Sequence, residues 1–130
     1  MFDIHADVAK NRLYITLVEL KPGESKDAVE AVKREVRKLA RGFTVLNDMA
    51  RYNPVSQEES EDIVRAQRAI LAGGMAKAAR VVGSKVGEIQ FARRSRESGY
   101  EAEIVTTVAE GEALLDRWEK DRRRKLDEMT

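Results

Sequence analysis

Apolar and polar residues alternate along the opening of this chain: Phe2, Ile4, Ala6 and Val8 are interleaved with Asp3, His5, Asp7 and Ala9. That period of two predicts a half-buried strand. Lys10-Asn11 supplies a turn, since Asn tolerates positive φ, and Leu13 to Leu20 reads as a second strand. A hairpin therefore opens the fold, and Lys21-Pro22-Gly23-Glu24 ends it. The period then lengthens. Val29, Val32, Val36, Leu39 and Ala40 fall on one face of a helix, with Ser25 as its cap and Asp27 near its positive end. Lys33, Arg34, Arg37, Lys38 and Arg41 fill much of the opposite side, as a solvated face or as a contact for an anionic partner.

Gly42 releases the chain into Phe43-Thr44-Val45-Leu46-Asn47-Asp48, a short apolar run that stops at a polar pair. Such a run between helical segments reads as a buried parallel strand, and ligands in such sheets meet the carboxyl ends of the strands. The loop from Asp48 to Gln57 is thus the first candidate surface. Ser56-Gln57-Glu58-Glu59 forms a capping box, and Ile63, Ala66, Ile70 and Leu71 give the second helix its buried side. Gly73-Gly74 ends that helix with left-handed geometry. Ala78 to Val82 reads as a strand, Gly83-Ser84 as a turn, and Val86, Ile89 and Ala92 as the stripe of a third helix closed by Gly99. Glu101 to Thr107 reads as the last strand. A second capping box, Thr107 to Glu110, starts a final helix packed through Leu114, Leu115 and Trp118. The predicted fold is α/β: a mostly parallel five-stranded sheet with an N-terminal hairpin and four helices, in the order β-β-α-β-α-β-α-β-α. Residues 1–118 make the domain, and residues 119–130 a charged helical extension or tail.

Composition narrows the function classes. The 130 residues suit one domain, and 24 Lys and Arg against 23 Asp and Glu leave a net charge of +1. That balance argues against a dedicated nucleic-acid binder. There is no cysteine, hence no disulfide, thiol nucleophile or thiolate metal site. No apolar run approaches the roughly 20 residues that span a bilayer, and Met1-Phe2-Asp3-Ile4-His5 lacks the features of a secretory signal. A cytoplasmic protein is the expectation. The single histidine, His5, lies on the polar phase of an edge strand, and no motif supports a metal site, a serine triad or a cofactor.

Three sets of residues carry resemblance to a known family. They are Ala79-Arg80-Val81-Val82-Gly83-Ser84, Gln90-Phe91-Ala92-Arg93 and Ser95-Arg96-Glu97-Ser98-Gly99-Tyr100-Glu101-Ala102. Together with a strand ending in Asp48, a Pro-containing loop and an acid-capped helix, they resemble the STAS domain and, within it, the SpoIIAA-like branch. STAS domains form sulfate-transporter tails and anti-sigma-factor antagonists. The resemblance covers residues 1 to about 118 and implies a non-enzymatic regulatory or protein-interaction module. In switchable antagonists an Asp-Ser pair opens the helix after the Asp-ended strand. Here the matching stretch is Val55-Ser56-Gln57-Glu58, with Ser56 near the expected Asp and Gln57 near the phosphorylated serine. The chain departs from the switch motif at that point.

The candidate interaction loop therefore comprises Asp48, Asn53, Ser56 and Gln57. Ser56 has two readings. It is a helix cap, or a phosphosite that would set a dianion beside Glu58, Glu59, Glu61 and Asp62. Gly83, Ser84 and Lys85 form a candidate anion site at a helix start, with Arg93, Arg94 and Arg96 farther along; the upstream glycine of a P-loop is missing. Asp48 could orient its loop or act as a base. The basic run Arg122 to Lys125 is a solvated helix end or a weak contact for nucleic acid or anionic lipid. A protein partner is expected. The alternative, implied by relatives of this branch, is a small apolar or lipid-like ligand held between the sheet and a helix near Phe91, Tyr100 or Trp118. An edge strand or the last helix offers a surface for a homodimer.

Overall fold

The alternating opening pairs with the segment after it. In the computed structural model, which describes residues 1–53, 56–83 and 98–129, β1 (Phe2–Asp7) runs antiparallel to β2 (Arg12–Leu17). The turn between them holds Asn11 at φ 54°. Both strands are shorter than the hydrophobic pattern suggested: Val8 lies in the turn and is exposed, and Leu20 is buried beyond the end of β2. An apolar residue can pack from a loop as well as from a strand, so burial alone overextends the element.

Helix α1 (Glu24–Val36) is capped by Gly23, whose φ of 88° turns the chain into the helix. The predicted cap, Ser25, instead lies buried in the first turn, donating its hydroxyl to Asp62 Oδ2 at 2.6 Å. The helix ends at Val36, so Leu39 and Ala40 belong to the following turn. Lys33, Arg34, Arg37, Lys38 and Arg41 are all exposed, as a solvated face requires.

Next come β3 (Thr44–Met49), α2 (Gln57–Ala72), β4 (Lys77–Val82), β5 (Glu103–Val105) and α3 (Val108–Glu128). The five strands form one mixed sheet in the order β1-β2-β3-β4-β5. Only β1 and β2 pair antiparallel; the other three neighbouring pairs are parallel. The strand predicted from Glu101 to Thr107 narrows to three residues, and Ile104, its predicted centre, is 42% exposed. Of the two glycines after α2, Gly74 is left-handed at φ 98°, whereas Gly73 at φ −74° is not. The stripe Val86, Ile89 and Ala92, and with it the predicted third helix, lies outside the described residues, which contain three helices.

Side chains of β3 alternate between two layers. Val45 and Met49 join the main core with Ile4, Leu13, Ile15, Val32 and Ile70, under α1 and α2. Leu46 faces the other way and packs with Ala79 and Leu115 under α3. Helix α3 continues to Glu128 without a break at Trp118. Arg122 stacks over the Trp118 ring, 4.7 Å from its centre, and donates to the Gly42 carbonyl at 3.2 Å. Beyond Arg122 the helix surface is exposed, including Leu126 and Met129.

Candidate functional site

Three places on this scaffold concentrate polar chemistry. The first is the rim where β3 and β4 end. The parallel register sets Asp48 beside Val81 and Met49 beside Val82, so Gly83 at the end of β4 meets the chain leaving β3. Their contact is close: a Cβ added at Gly83 would lie 2.1 Å from the Ala50 carbonyl oxygen. Asp48 is half-buried, and its Oδ1 accepts the Ala50 amide at 3.3 Å, which holds the chain as it turns off the strand. The Tyr52 amide donates to the Met49 carbonyl, and the Tyr52 ring is buried. Asn53, Ser56 and Gln57 are exposed in the connection from β3 into α2. Ser56 caps α2, its hydroxyl accepting the Glu59 amide at 3.1 Å. Of the predicted anion site, Gly83 is exposed at the end of β4; Ser84 and Lys85 lie outside the described residues, as do Arg93, Arg94 and Arg96.

The second place is a cavity of about 50 Å³ between the sheet and helices α1 and α2. Leu17, Val32, Met49 and Ile70 form much of its wall. Polar residues also line it: Asn47 from β3, Arg80 from β4, Ser25 from α1, and Asp62 and Gln67 from α2. All five are buried. Asn47 Nδ2 donates to the Ala79 carbonyl at 3.1 Å and to the Tyr100 hydroxyl at 2.9 Å. Tyr100 is almost fully enclosed, and burial pushes its hydroxyl pKa up to about 12, against the pull of the Arg80 charge and the Asn47 hydrogen bond. The Arg80 guanidinium lies 5.8 Å from the centre of the Tyr100 ring. Gln67 Oε1 accepts from the Ser98 hydroxyl at 2.7 Å. Both oxygens of Asp62 are engaged, one by Ser25 and one by Arg65. Of the aromatics proposed for such a cavity, Tyr100 adjoins it through Asn47, Trp118 sits on α3 across the sheet, and Phe91 is outside the described residues.

The third place is under α3. Arg12 is 1% exposed, with Nε donating to Thr44 Oγ1 at 2.8 Å and Nη1 to both Glu112 (3.1 Å) and Asp116 (3.0 Å). The Tyr14 hydroxyl donates to Glu112 at 2.8 Å, and Lys10 donates to the other Glu112 oxygen at 3.2 Å. Burial pushes the Glu112 carboxyl up, but hydrogen bonds from Tyr14, Lys10 and Arg12 outweigh it and hold the group below its ordinary range. Burial opposes the Arg12 charge as well, and its bonds to Glu112 and Asp116 raise its pKa despite that. His5, exposed as its strand phase suggested, stacks on Tyr14 at 5.1 Å between ring centres.

Sequence reasoning missed this network. The signal available was Glu112 and Asp116 four apart on one helix face, with Arg12 and Tyr14 on one phase of β2. Their pairing depends on which sheet face α3 covers, and the pattern does not encode that. Among the described residues no group of three His, Cys, Asp or Glu side chains converges to hold a metal, and no helix is long and apolar enough to cross a membrane. Comparison of the chain with family models, with curated proteins and with solved structures returned no match.

Proposed function

We propose that this chain is a non-enzymatic, STAS-like regulatory or protein-interaction module of the cytoplasm, working through the rim at the carboxyl ends of β3 and β4. The observation that carries this reading is the abutment of Gly83 on the Ala50 carbonyl, which sets the end of β4 and the chain leaving β3 together as one surface. That surface presents Asn53, Ser56 and Gln57 to solvent, beside the end of the central strand. Exposed polar side chains on loops held by rigid strands suit partner recognition. The bond from Ala50 gives Asp48 a positioning role in the loop. The Glu59 amide on the Ser56 hydroxyl supports the capping reading over the phosphorylation switch.

Affinity capture from native extract, comparing wild type with Asn53→Ala/Gln57→Arg, tests the proposal. A partner retained by wild type and by Lys38→Glu, but lost by the rim variant, supports it. Loss with Lys38→Glu and retention by the rim variant overturns it.

The cavity favours a second reading, a binding site for a small apolar ligand. Its wall is mostly aliphatic, and it holds far less than the roughly 150 Å³ that takes up benzene in an engineered apolar cavity. A complete lipid chain would therefore require α1 or α2 to move, whereas a ligand of a few heavy atoms would not. Thermal unfolding in the presence of a homologous series of short alcohols checks this. A rise in melting temperature that peaks at short chain length supports the pocket, and no rise at any length removes it.

A further inference from the structure

Strand β1 ends the sheet, and its outer margin offers backbone hydrogen-bonding groups to a further strand. In an antiparallel ladder alternate residues turn their N–H and C=O toward the neighbouring strand. The Ala6 amide bonds Glu35 rather than β2, so Phe2, Ile4 and Ala6 are the residues that face outward. Among the described residues, Glu35 alone bonds to that margin. Its hold is separable, because Lys38 at 2.7 Å and Arg34 at 3.4 Å keep the carboxylate paired once the amide leaves it. Phe2 is half-buried and packs with Ile4 against the core, while Asp3 and His5 stand exposed on the other face of the strand.

Only one antiparallel register of β1 with itself pairs all three outward residues with one another: Ile4 opposite Ile4, and Phe2 opposite Ala6. That register also sets Asp3 directly opposite His5, twice. Within one strand these two side chains already attract, with His5 Nδ1 3.4 Å from Asp3 Oδ2. The neighbouring registers are worse. Moving Phe2 opposite Ile4 sets Asp3 against Asp3. Moving Ile4 opposite Ala6 sets His5 against His5 and Asp3 against Asp7. Opposite charges facing each other stabilise a strand pair, and like charges destabilise it.

We infer that β1 is the contact surface for a second copy of this chain, the two strands pairing antiparallel about Ile4 and joining two five-stranded sheets into one. The interface is isologous, each copy giving the other the same strand. On pairing, the Ala6 amide passes from Glu35 to the Phe2 carbonyl of the second copy, and Phe2 loses its remaining exposure.

Sedimentation equilibrium of the full chain up to millimolar concentration tests it. Glu35→Ala tightens the dimer about tenfold, since two intramolecular hydrogen bonds no longer compete. In that background His5→Asp sets Asp against Asp, and Asp3→Lys/His5→Lys sets Lys against Lys. Each weakens self-association at least about tenfold, and an equimolar mixture of the two recovers it. Both positions are exposed, and circular dichroism checks that the monomer keeps its fold. Should Glu35→Ala fail to fold, the same charge variants in wild type carry the test. Monomer at every concentration in every folded protein overturns the inference and leaves the edge to a strand of another protein. A dimer untouched by the charge variants, or a mixture no tighter than its components, places self-association on another surface and overturns it as well.

Discussion

Arg12 and Glu112 are 100 residues apart in the chain, and the Arg12 guanidinium donates to the Glu112 carboxylate at 3.1 Å. The pair links the second strand to the last helix across the sheet face opposite α1 and α2. Arg12 also bonds Asp116 and Thr44, so one buried cation organises three elements.

Arg12→Ala leaves Glu112 without its buried partner and removes the donor to Thr44. Glu112 is 27% exposed and keeps its Tyr14 and Lys10 donors, so the cost falls between about 1 kcal/mol, the surface scale, and about 3–5 kcal/mol, the scale of a fully buried pair. Urea denaturation is expected to show a loss in that range. A loss below about 1 kcal/mol, the scale of a surface ion pair, would show that α3 is held by Leu46, Ala79 and Leu115 alone.

Acid unfolding probes the same cluster. The Glu112 carboxyl is held below its ordinary range in the folded chain. A carboxyl depressed on folding contributes stability that is present above its unfolded pKa, near 4.3, and lost as pH falls through the folded value. Below about pH 4.3 wild type is therefore expected to lose stability more steeply than Glu112→Gln, which has no charge to lose there. Parallel pH profiles of the two proteins would count against the network.

Gly83→Ala and Gly111→Ala separate two kinds of close approach. At Gly83 the new methyl meets backbone, the Ala50 carbonyl oxygen at 2.1 Å, and one of the two loops has to move. At Gly111 it meets the end of a side chain, Leu46 Cδ1 at 2.4 Å, which can change rotamer while α3 gains helix propensity. Gly83→Ala is expected to cost about 1–3 kcal/mol and to shift the amide resonances of the rim. Gly111→Ala should cost less, and equal losses would refute the distinction.

Ser56 can be tested as a cap by three substitutions. Ser56→Ala is expected to cost about 1 kcal/mol, because the Glu59 amide loses its acceptor. Ser56→Asp and Ser56→Asn restore most of it. If instead Ser56→Asp alone alters partner capture with stability unchanged, charge at this position has a regulatory role.

The edge strand β1 is guarded by a side chain from α1. Glu35 Oε1 accepts the Ala6 amide at 3.1 Å, and that carboxylate is itself bound by Lys38 at 2.7 Å. A free edge amide is a template for another strand. Glu35→Ala is expected to increase self-association, measured by sedimentation velocity over a concentration series. An unchanged sedimentation coefficient would exclude β1 as the dimerising edge.

Much of the architecture is legible in the chain itself, because alternation and helical spacing are local properties that any packing must respect. The hairpin at Asn11, the buried hexapeptide at 43–48, the caps at Ser56 and Thr107 and the rim after Asp48 all follow from neighbours in sequence. The polar residues inside α2 do not. Glu59, Asp62 and Gln67 fall outside the apolar stripe of Ile63, Ala66, Ile70 and Leu71, yet they are buried, Asp62 and Gln67 meeting Ser25 and Ser98 from distant segments. Arg80 enters the sequence reading as part of the family resemblance and Asn47 as part of the polar pair that ends the central strand; only the parallel register sets them side by side on the cavity wall. Local pattern determines which residues form strands and helices, since a polar backbone and a fixed period leave few choices. Which buried charges meet is decided only when α3 closes one face of the sheet and α1 and α2 the other, because a long-range ion pair has no period to betray it.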